Sequence, residues 1–253
     1  MSFRHRARKR FGQNFLVDGN IIARMIRAIA PEPGQQLVEI GPGLGALTLP
    51  LLQAVGRLQA VELDRDLVAE LARRCQGAGE LVIHQGDALR FDFASLRENE
   101  QPLRIVGNLP YNISTPLIFH LLDYADIIAD MHFTLQKEVV DRLAARVGDD
   151  AYGRLSVMVQ YHCRVERLFN IAPGAFRPVP QVDSAFVRLI PHRSKPIEVN
   201  DVAVFSRLVA QAFSQRRKTL RNTLKGLLDE EQIRAAGVDP ALRPEQVDLA
   251  GFA

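Results

Sequence analysis

The stretch QLVEIGPGLGALT, residues 36 to 48, joins a short apolar run to a glycine-rich turn and then to a helical pattern. Gly41, Gly43 and Gly45 let the backbone turn sharply and approach a ligand closely, which a β-carbon would obstruct. A strand, a glycine turn and a helix in this order predict a nucleotide-binding unit. The spacing alone does not identify the nucleotide, because it also fits the G-x-G-x-x-A pattern of dinucleotide-binding proteins, and a plain structural turn stays open.

Outward from this stretch, short apolar runs alternate with amphipathic ones from residue 20 to about 145. We predict strands at 36–40, 58–62, 81–84, 104–106 and 131–135, and helices at 47–55, at 67–74 and from Thr115 onward. This alternation predicts an α/β fold in which a parallel sheet carries helices on both faces. Residues 182–191 alternate like a strand and are expected to extend the sheet edge.

The pattern changes to a helical period after residue 202. One apolar stripe is expected on a helix beginning there and another on a second helix: Phe205, Leu208, Val209, Ala212 and Phe213, then Leu220, Leu224, Leu227 and Leu228. We therefore predict two domains, a nucleotide-binding catalytic domain at 1–195 and a small all-helical domain at 196–253.

The composition is that of a globular protein, with 253 residues, 47% hydrophobic and 24% charged. The sequence has no apolar run of membrane-spanning length, and its basic start, MSFRHRARKRFGQNF, is not followed by the apolar core of a signal peptide. We expect a cytoplasmic protein. Cys75 and Cys163 are too few and too far apart to predict a disulfide framework or a zinc site.

The net charge is only +3, but the basic residues are clustered. One cluster lies between Arg4 and Arg10, and the other contains Arg216, Arg217, Lys218, Arg221 and Lys225. Because Arg217, Arg221 and Lys225 recur every four residues, they are expected to share one face of a helix. Either cluster alone could be a solvated face, but two in one chain favour a polyanionic partner.

Two carboxylates follow the next two predicted strands. Glu62 ends the second strand, 21 residues after Gly41, where a carboxylate can accept hydrogen bonds from both hydroxyls of a ribose. Asp87 follows Gly86 at the end of the third strand, where it could accept from an adenine amine. The sequence contains no His or Tyr-Lys arrangement that would support hydride transfer to a nicotinamide.

Several motifs together resemble a known family. GPGLGALT, Glu62, GDAL and NLPY in this order resemble class I methyltransferases, which have a Rossmann-like sheet and use S-adenosylmethionine. FGQNFL, NLPYN at 108–112, FRPVPQVDS at 176–184 and QRRKTLRNTLKG at 215–226 are similar to the bacterial small-subunit ribosomal RNA adenine dimethyltransferases. The resemblance implies that the cofactor site is lined by Asn14, Leu16, Gly41, Gly43, Glu62, Asp87 and Asn108. It implies no metal.

The NLPY motif suits chemistry on an adenine amine, whose lone pair is delocalised into the ring. The Asn108 side-chain oxygen and the Pro110 carbonyl can both accept from that amine and favour a geometry in which the lone pair is free. Tyr111 offers a flat face for an extruded base, and Phe176 is the expected second face. Phosphate contacts are expected from Arg216, Arg217, Lys218 and Arg221.

The resemblance implies an enzyme that dimethylates two adjacent adenosines near the 3′ end of the small-subunit (16S) ribosomal RNA during late assembly of the particle. A monomer is expected. Three alternatives stay open: a related enzyme acting on large-subunit RNA and conferring antibiotic resistance, an RNA-binding assembly factor without activity, and an NAD-dependent enzyme. Intact Glu62, Asp87 and NLPY argue against the inactive factor.

Overall fold

A computed structural model of the chain describes residues 13–215 and 217–253. The predictions made for the basic residues between Arg4 and Arg10, and for Arg216, lie outside the described residues.

The elements alternate as the sequence predicts through the first half of the chain. The strands are β1 Phe15–Leu16, β2 Leu37–Ile40, β3 Arg57–Glu62, β4 Glu80–Gln85, β5 Leu103–Asn108, β6 Ile128–Gln136, β7 Cys163–Ile171, β8 Phe176–Arg177 and β9 Ser184–Pro191. The helices are α1 Gly19–Ile29, α2 Thr48–Val55, α3 Arg65–Arg74, α4 Ser114–Leu122, α5 Lys137–Ala144, α6 Arg154–His162, α7 Val202–Ala212, α8 Leu220–Thr223, α9 Glu230–Ala235 and α10 Leu249–Phe252.

The described residues form a main sheet of seven strands in the order β4-β3-β2-β5-β6-β9-β7. The five strands from β4 to β6 are mutually parallel, and β9 pairs antiparallel with β6. In an open parallel sheet, ligands bind outside the carboxyl ends of the strands where the strand order reverses. Here the order reverses at β2, the strand that runs into the glycine turn, and this places the candidate site.

A short antiparallel pair, β1 with β8, attaches the amino-terminal segment to the rest of the fold. Leu16 lies opposite Phe176 in this pair, and the Val17 amide donates to the Ala175 carbonyl at 2.8 Å. Helix α1 begins directly afterwards, because the Asp18 side chain accepts hydrogen bonds from the Asn20 and Ile21 amides and caps the first turn.

The chain divides into two compact units. One contains the residues up to Val140 together with Glu166–Pro191, and the other contains Asp141–Val165 and His192–Ala253. The predicted boundary near residue 195 therefore assigns 141–165 to the wrong side: Tyr161 of α6 packs on Phe205 of α7, with ring centroids 5.1 Å apart. Sequence periodicity identifies the apolar face of a helix but not the element that covers it.

The predicted second helix of the carboxyl-terminal region is also much shorter in the structure. Helix α8 covers only Leu220–Thr223, and Gly226 follows with a left-handed φ of +93° that a continuing helix cannot accommodate. Arg217 precedes α8 and Lys225 follows it. The prediction that Arg217, Arg221 and Lys225 share one helical face is therefore wrong.

Within the described ranges, no helix is long and apolar enough to cross a membrane. Both cysteines are free thiols with buried side chains. Among the same residues, no three His, Cys, Asp or Glu side chains are grouped so that they could hold a metal ion.

A buried carboxylate connects three neighbouring strands at the end of the sheet opposite the candidate site. Asp130 on β6 accepts from Arg104 on β5 and from Arg188 on β9, at distances of 2.8 to 3.1 Å. Arg104 also donates to the carbonyl of Ile29 at the end of α1. Burial alone would raise the pKa of Asp130, but the hydrogen bond from Arg104 and the nearby positive charges outweigh it and lower that pKa.

We expect Asp130→Ala to lower the free energy of unfolding by about 3 to 5 kcal/mol, because it leaves the guanidinium of Arg104 buried without its counter-charge. Urea denaturation at neutral pH measures this. The matched control is Asp126→Ala, an exposed carboxylate shortly before β6, which should change stability by less than about 0.5 kcal/mol. Equal losses in the two variants would show that the buried cluster does not stabilise the sheet.

Candidate active site

A cavity of about 220 Å³ opens at the carboxyl ends of the parallel strands. Four loops and the amino-terminal segment line it, through residues 13–15, 40–41, 43, 61–63, 67, 86–89 and 108–113. The structure therefore brings together most of the predicted site residues: Asn14, Gly41, Gly43, Glu62, Asp87, Asn108, Pro110 and Tyr111.

The glycine turn after β2 has the backbone conformation that the sequence predicts. Gly41 and Gly43 have φ angles of +65° and +57°, a region that other residues rarely adopt. A β-carbon at Gly41 would meet no atom within 4 Å, so the space beside it is open on the cavity side. At Gly43 a β-carbon would lie 3.1 Å from the Phe15 ring, so the absence of a side chain lets the amino-terminal segment pack close to the turn.

Glu62 is fixed at the end of β3 by two backbone amides. One carboxylate oxygen accepts from Gly43 at 3.1 Å and the other from Asp64 at 2.8 Å. Burial raises the pKa of Glu62, and the two backbone hydrogen bonds partly oppose this effect. Each oxygen keeps a second lone pair, so the carboxylate is held in a fixed orientation and can still accept from two hydroxyl groups.

Asp87 is arranged in a similar way on the loop after β4. One of its oxygens accepts from the Leu89 amide at 3.0 Å, and the side chain lies on the cavity wall. Its other oxygen can accept from a ligand amine. The cavity wall thus carries two carboxylates whose orientations are set by the backbone.

Asn108 is the last residue of β5, and its side-chain amide has a defined direction. The Nδ2 atom donates to the backbone carbonyl of Asn14 at 2.9 Å. A carbonyl oxygen can only accept, so the nitrogen must face Asn14 and the Oδ1 atom is left as an acceptor. Because Asn108 lines the cavity, this oxygen is suited to bind an amine there.

The two residues that follow Leu109 are also held in place. The Pro110 carbonyl accepts from the Ile113 amide at 3.2 Å, which leaves one lone pair for another donor. The Tyr111 hydroxyl lies 2.6 Å from the Ser184 hydroxyl, and the Tyr111 carbonyl accepts from Ser114 at 3.1 Å. Burial raises the pKa of Tyr111, so its phenol stays neutral at physiological pH.

Two predicted site residues do not line the cavity. Phe176 is only 1% exposed and packs in the apolar core, so neither face of its ring is open to a base in this structure. Leu16 is buried in the same core, and its neighbour Phe15 lines the cavity instead. Successive side chains of a strand point to opposite sides, and the sequence of so short a strand does not reveal which side is which.

Glu39 lies on β2, two residues before the glycine turn, and is not among the residues predicted from the sequence. Its side chain is almost fully buried, and one carboxyl oxygen has no hydrogen-bond partner among the described residues. Burial raises the pKa of Glu39 to about 8, and the charge of Glu62 acts in the same direction. The sequence feature that could have indicated this residue is an acidic side chain within the apolar run Leu37–Ile40.

The predicted RNA-binding residues lie in the other compact unit. Arg217, Lys218 and Arg221 are all exposed, and Arg221 and Lys225 line one shallow depression with the loop that follows α8. The Arg221 guanidinium lies 3.9 Å from a carboxylate oxygen of Glu230, which is a long contact for an ion pair. These side chains are therefore accessible to a polyanion.

A comparison with known families identifies the chain. The sequence profile described as "Ribosomal RNA adenine dimethylase" matches residues 4–249. The chain belongs to this family. The resemblance inferred from NLPY and its companion motifs is confirmed.

Two relatives and two solved structures show how closely the family members agree. In Pseudomonas aeruginosa, a protein called ribosomal RNA small subunit methyltransferase A is 62% identical to this chain, over 99% of this chain and 93% of the relative. The protein of the same name in a Marinomonas species is 56% identical, over 98% of this chain and 93% of the relative. A dimethyladenosine transferase from Plasmodium falciparum has a TM-score of 0.79 at 27% identity, covering 94% of both chains. The 23S rRNA methyltransferase ErmE has a TM-score of 0.74 at 25% identity, covering 94% of this chain and 96% of its own. The predicted Rossmann-like methyltransferase fold is thereby confirmed.

The raised pKa of Glu39 predicts a distinctive pH dependence of stability. Between about pH 5 and 8 the folded protein retains a proton on Glu39 that the unfolded chain has lost. Folding stability should therefore decrease by up to about 1.4 kcal/mol for each pH unit gained, on account of this group alone. In Glu39→Gln, whose amide mimics the neutral carboxyl, this decrease should be absent.

Urea denaturation of both proteins at pH 5.5, 6.5 and 7.5 measures the effect as a difference between two curves, so that other titrating groups cancel. We expect the wild type to lose stability relative to Glu39→Gln as the pH rises. Parallel curves would mean that Glu39 is ionised in the folded protein.

Proposed function

We propose that this protein uses S-adenosylmethionine to dimethylate the exocyclic amines of two adjacent adenosines near the 3′ end of small-subunit ribosomal RNA, late in assembly of the particle. The observation that carries the proposal is the Asn108 amide, which the Asn14 carbonyl orients so that its oxygen is free as an acceptor beside the cavity. Membership of the adenine dimethylase family and 62% identity to a small-subunit methyltransferase support it.

The residues at the strand ends fit the cofactor. Glu62 would hold the two ribose hydroxyls, and the free oxygen of Asp87 would accept from the amine of the cofactor's adenine. The open side of Gly41 allows a ligand to approach the backbone. When bound, S-adenosylmethionine would supply a methyl group on a sulfonium sulfur, and this sulfur is a good leaving group because it departs as a neutral thioether when the N–C bond forms.

The NLPY segment prepares the target amine. Asn108 Oδ1 and the remaining lone pair of the Pro110 carbonyl accept its two hydrogens and favour a pyramidal nitrogen, whose lone pair is no longer delocalised into the ring. These acceptors are in place before the substrate arrives, so little reorganisation is needed during the reaction. No acid or base in contact with the sulfonium is required, and the chain's main contribution is to position the amine.

Tyr111 would hold the target base by stacking. Stacking on an aromatic side chain contributes about 1 to 3 kcal/mol per base and tolerates any base, so selection of adenine falls to the acceptors of Asn108 and Pro110. The target must leave its own stack, and loops of ribosomal RNA present bases that are already partly unstacked.

The small subunit is favoured over the large subunit as the substrate because the relatives named for it are more than twice as similar as the 23S enzyme. We propose a monomer that works in the cytoplasm, where ribosomal particles are assembled.

Methyl transfer from labelled S-adenosylmethionine to separated ribosomal subunits that lack the modification tests the proposal. Label should enter only the small subunit, and nucleoside analysis should recover N6,N6-dimethyladenosine from two neighbouring positions. Label confined to the large subunit would replace the proposed substrate with the alternative one, and label in neither subunit would overturn the assignment.

Asn108→Ala should reduce the rate of methyl transfer at saturating substrates by about a hundredfold or more, the usual cost of losing one oriented group that acts in the transition state. Asn108→Asp should be similarly impaired although it keeps an oxygen, because a carboxylate cannot donate to the Asn14 carbonyl and is repelled by it. The exposed Asn170→Ala serves as the control. Single-turnover rates within a few fold of wild type for both Asn108 variants would contradict the assigned role.

The combined change Arg217→Ala, Lys218→Ala and Arg221→Ala should weaken substrate binding and flatten its salt dependence. If all three contact phosphates, the slope of log affinity against log salt should fall by about 2. Cofactor affinity and turnover at saturating substrate should persist, because uniform binding energy stabilises ground and transition states alike. An unchanged slope would make this cluster an ordinary solvated surface.

A further inference from the structure

The tyrosine of the NLPY segment is anchored at both ends. Its hydroxyl, the atom farthest from the backbone, lies 2.6 Å from the hydroxyl of Ser184. Its carbonyl accepts from Ser114 at the start of α4. The hydrogen bond to Ser184 fixes the position of the ring tip, and because a phenol forms its hydrogen bonds close to the plane of its ring, the same bond favours one orientation of the ring face.

Ser184 is itself held by the sheet. It is the first residue of β9, is 0% exposed, and lies opposite Gln136 at the end of β6. The preceding residue is fixed as well, because the Asp183 carbonyl accepts from the Lys137 amide at 2.9 Å. The Ser184 hydroxyl is therefore a rigid point at the same end of the sheet as the cavity.

Solvent does not compete for the Ser184 hydroxyl, because this residue is fully enclosed. Its Oγ atom has the Tyr111 hydroxyl as a partner, and a buried hydroxyl that loses its partner is costly. The bond therefore matters to both residues: it satisfies the serine and fixes the tyrosine.

We propose that Ser184 is a positioning residue for the methyl transfer, which acts by holding the ring plane of Tyr111 against which the target adenine stacks. The inference rests on the proposed function, since it gives Tyr111 a base to stack on. Catalytic geometry requires supports that keep a group within about 10 to 20° of the productive orientation, and a side chain fixed by the sheet provides such a support. Ser184 itself does not touch the substrate in this account.

A double-mutant cycle tests whether Ser184 acts through the tyrosine hydroxyl. Ser184→Ala and Tyr111→Phe should each lower the single-turnover rate by about 3- to 10-fold, the size expected for one hydrogen bond. The double variant should be no slower than either single one, because all three lack the same bond. Cofactor affinity should stay close to wild type, whereas Tyr111→Phe should also lower the unfolding midpoint, because it leaves the buried Ser184 hydroxyl without its partner. Ser184→Thr keeps the hydroxyl and should recover most of the rate.

Losses that multiply in the double variant would overturn the proposal, because Ser184 would then act independently of the Tyr111 hydroxyl. If the wild-type enzyme transfers no methyl group to small subunits, the proposed function is wrong, and this result says nothing against the hydrogen bond between Ser184 and Tyr111. The hydrogen bond between Tyr111 and Ser184 can then still be tested without turnover, by carbon NMR of ring-labelled tyrosine. The Tyr111 signal is assigned from its absence in Tyr111→Phe. Ser184→Ala should change the chemical shift of the Tyr111 ζ-carbon and accelerate flipping of the ring. An unchanged spectrum would show that Ser184 does not restrain the Tyr111 ring.

Discussion

A carbonyl oxygen can only accept a hydrogen bond, and at Asn14 this constraint determines the direction of the Asn108 amide. The contact joins the amino-terminal segment, which is attached by the β1–β8 pair, to the last residue of a central parallel strand. Without it the amide could turn either edge to the cavity, and one edge would repel the amine that the other binds. The chemical character of the site depends on this backbone contact.

The same design recurs around the cavity. Glu62 is oriented by two backbone amides and Asp87 by one, which take up only part of the accepting capacity of each carboxylate, and Asn108 is oriented by a backbone carbonyl. The site is therefore a set of fixed acceptors, which suits the proposed binding of a cofactor adenosine and a target adenosine. Glu39 fits the scheme because its raised pKa keeps it neutral beneath Glu62, so that a second negative charge is not buried there.

The parts of this protein that could be predicted from its sequence are those set by local pattern. The glycine turn, the carboxylates at the strand ends and NLPY are each placed by the strand that precedes them, and parallel strands bring their ends together. The resemblance to a family added Asn14, which no local pattern indicates. The burial of Phe176 and Leu16, and the grouping of residues 141–165 with the carboxyl-terminal region, could not be predicted because they depend on which distant element covers these residues. Helix α8 was predicted too long because a leucine stripe continues past the glycine that ends it.

Neutron diffraction from a deuterated crystal tests the central claim most directly, because it distinguishes the nitrogen of the Asn108 amide from its oxygen. The account predicts two deuterons on the atom that faces the Asn14 carbonyl, one of them within that hydrogen bond, and none on the atom that faces the cavity. Deuterons on the cavity side would mean that Asn108 presents donors to the target, and the proposed orientation of the amine would be wrong.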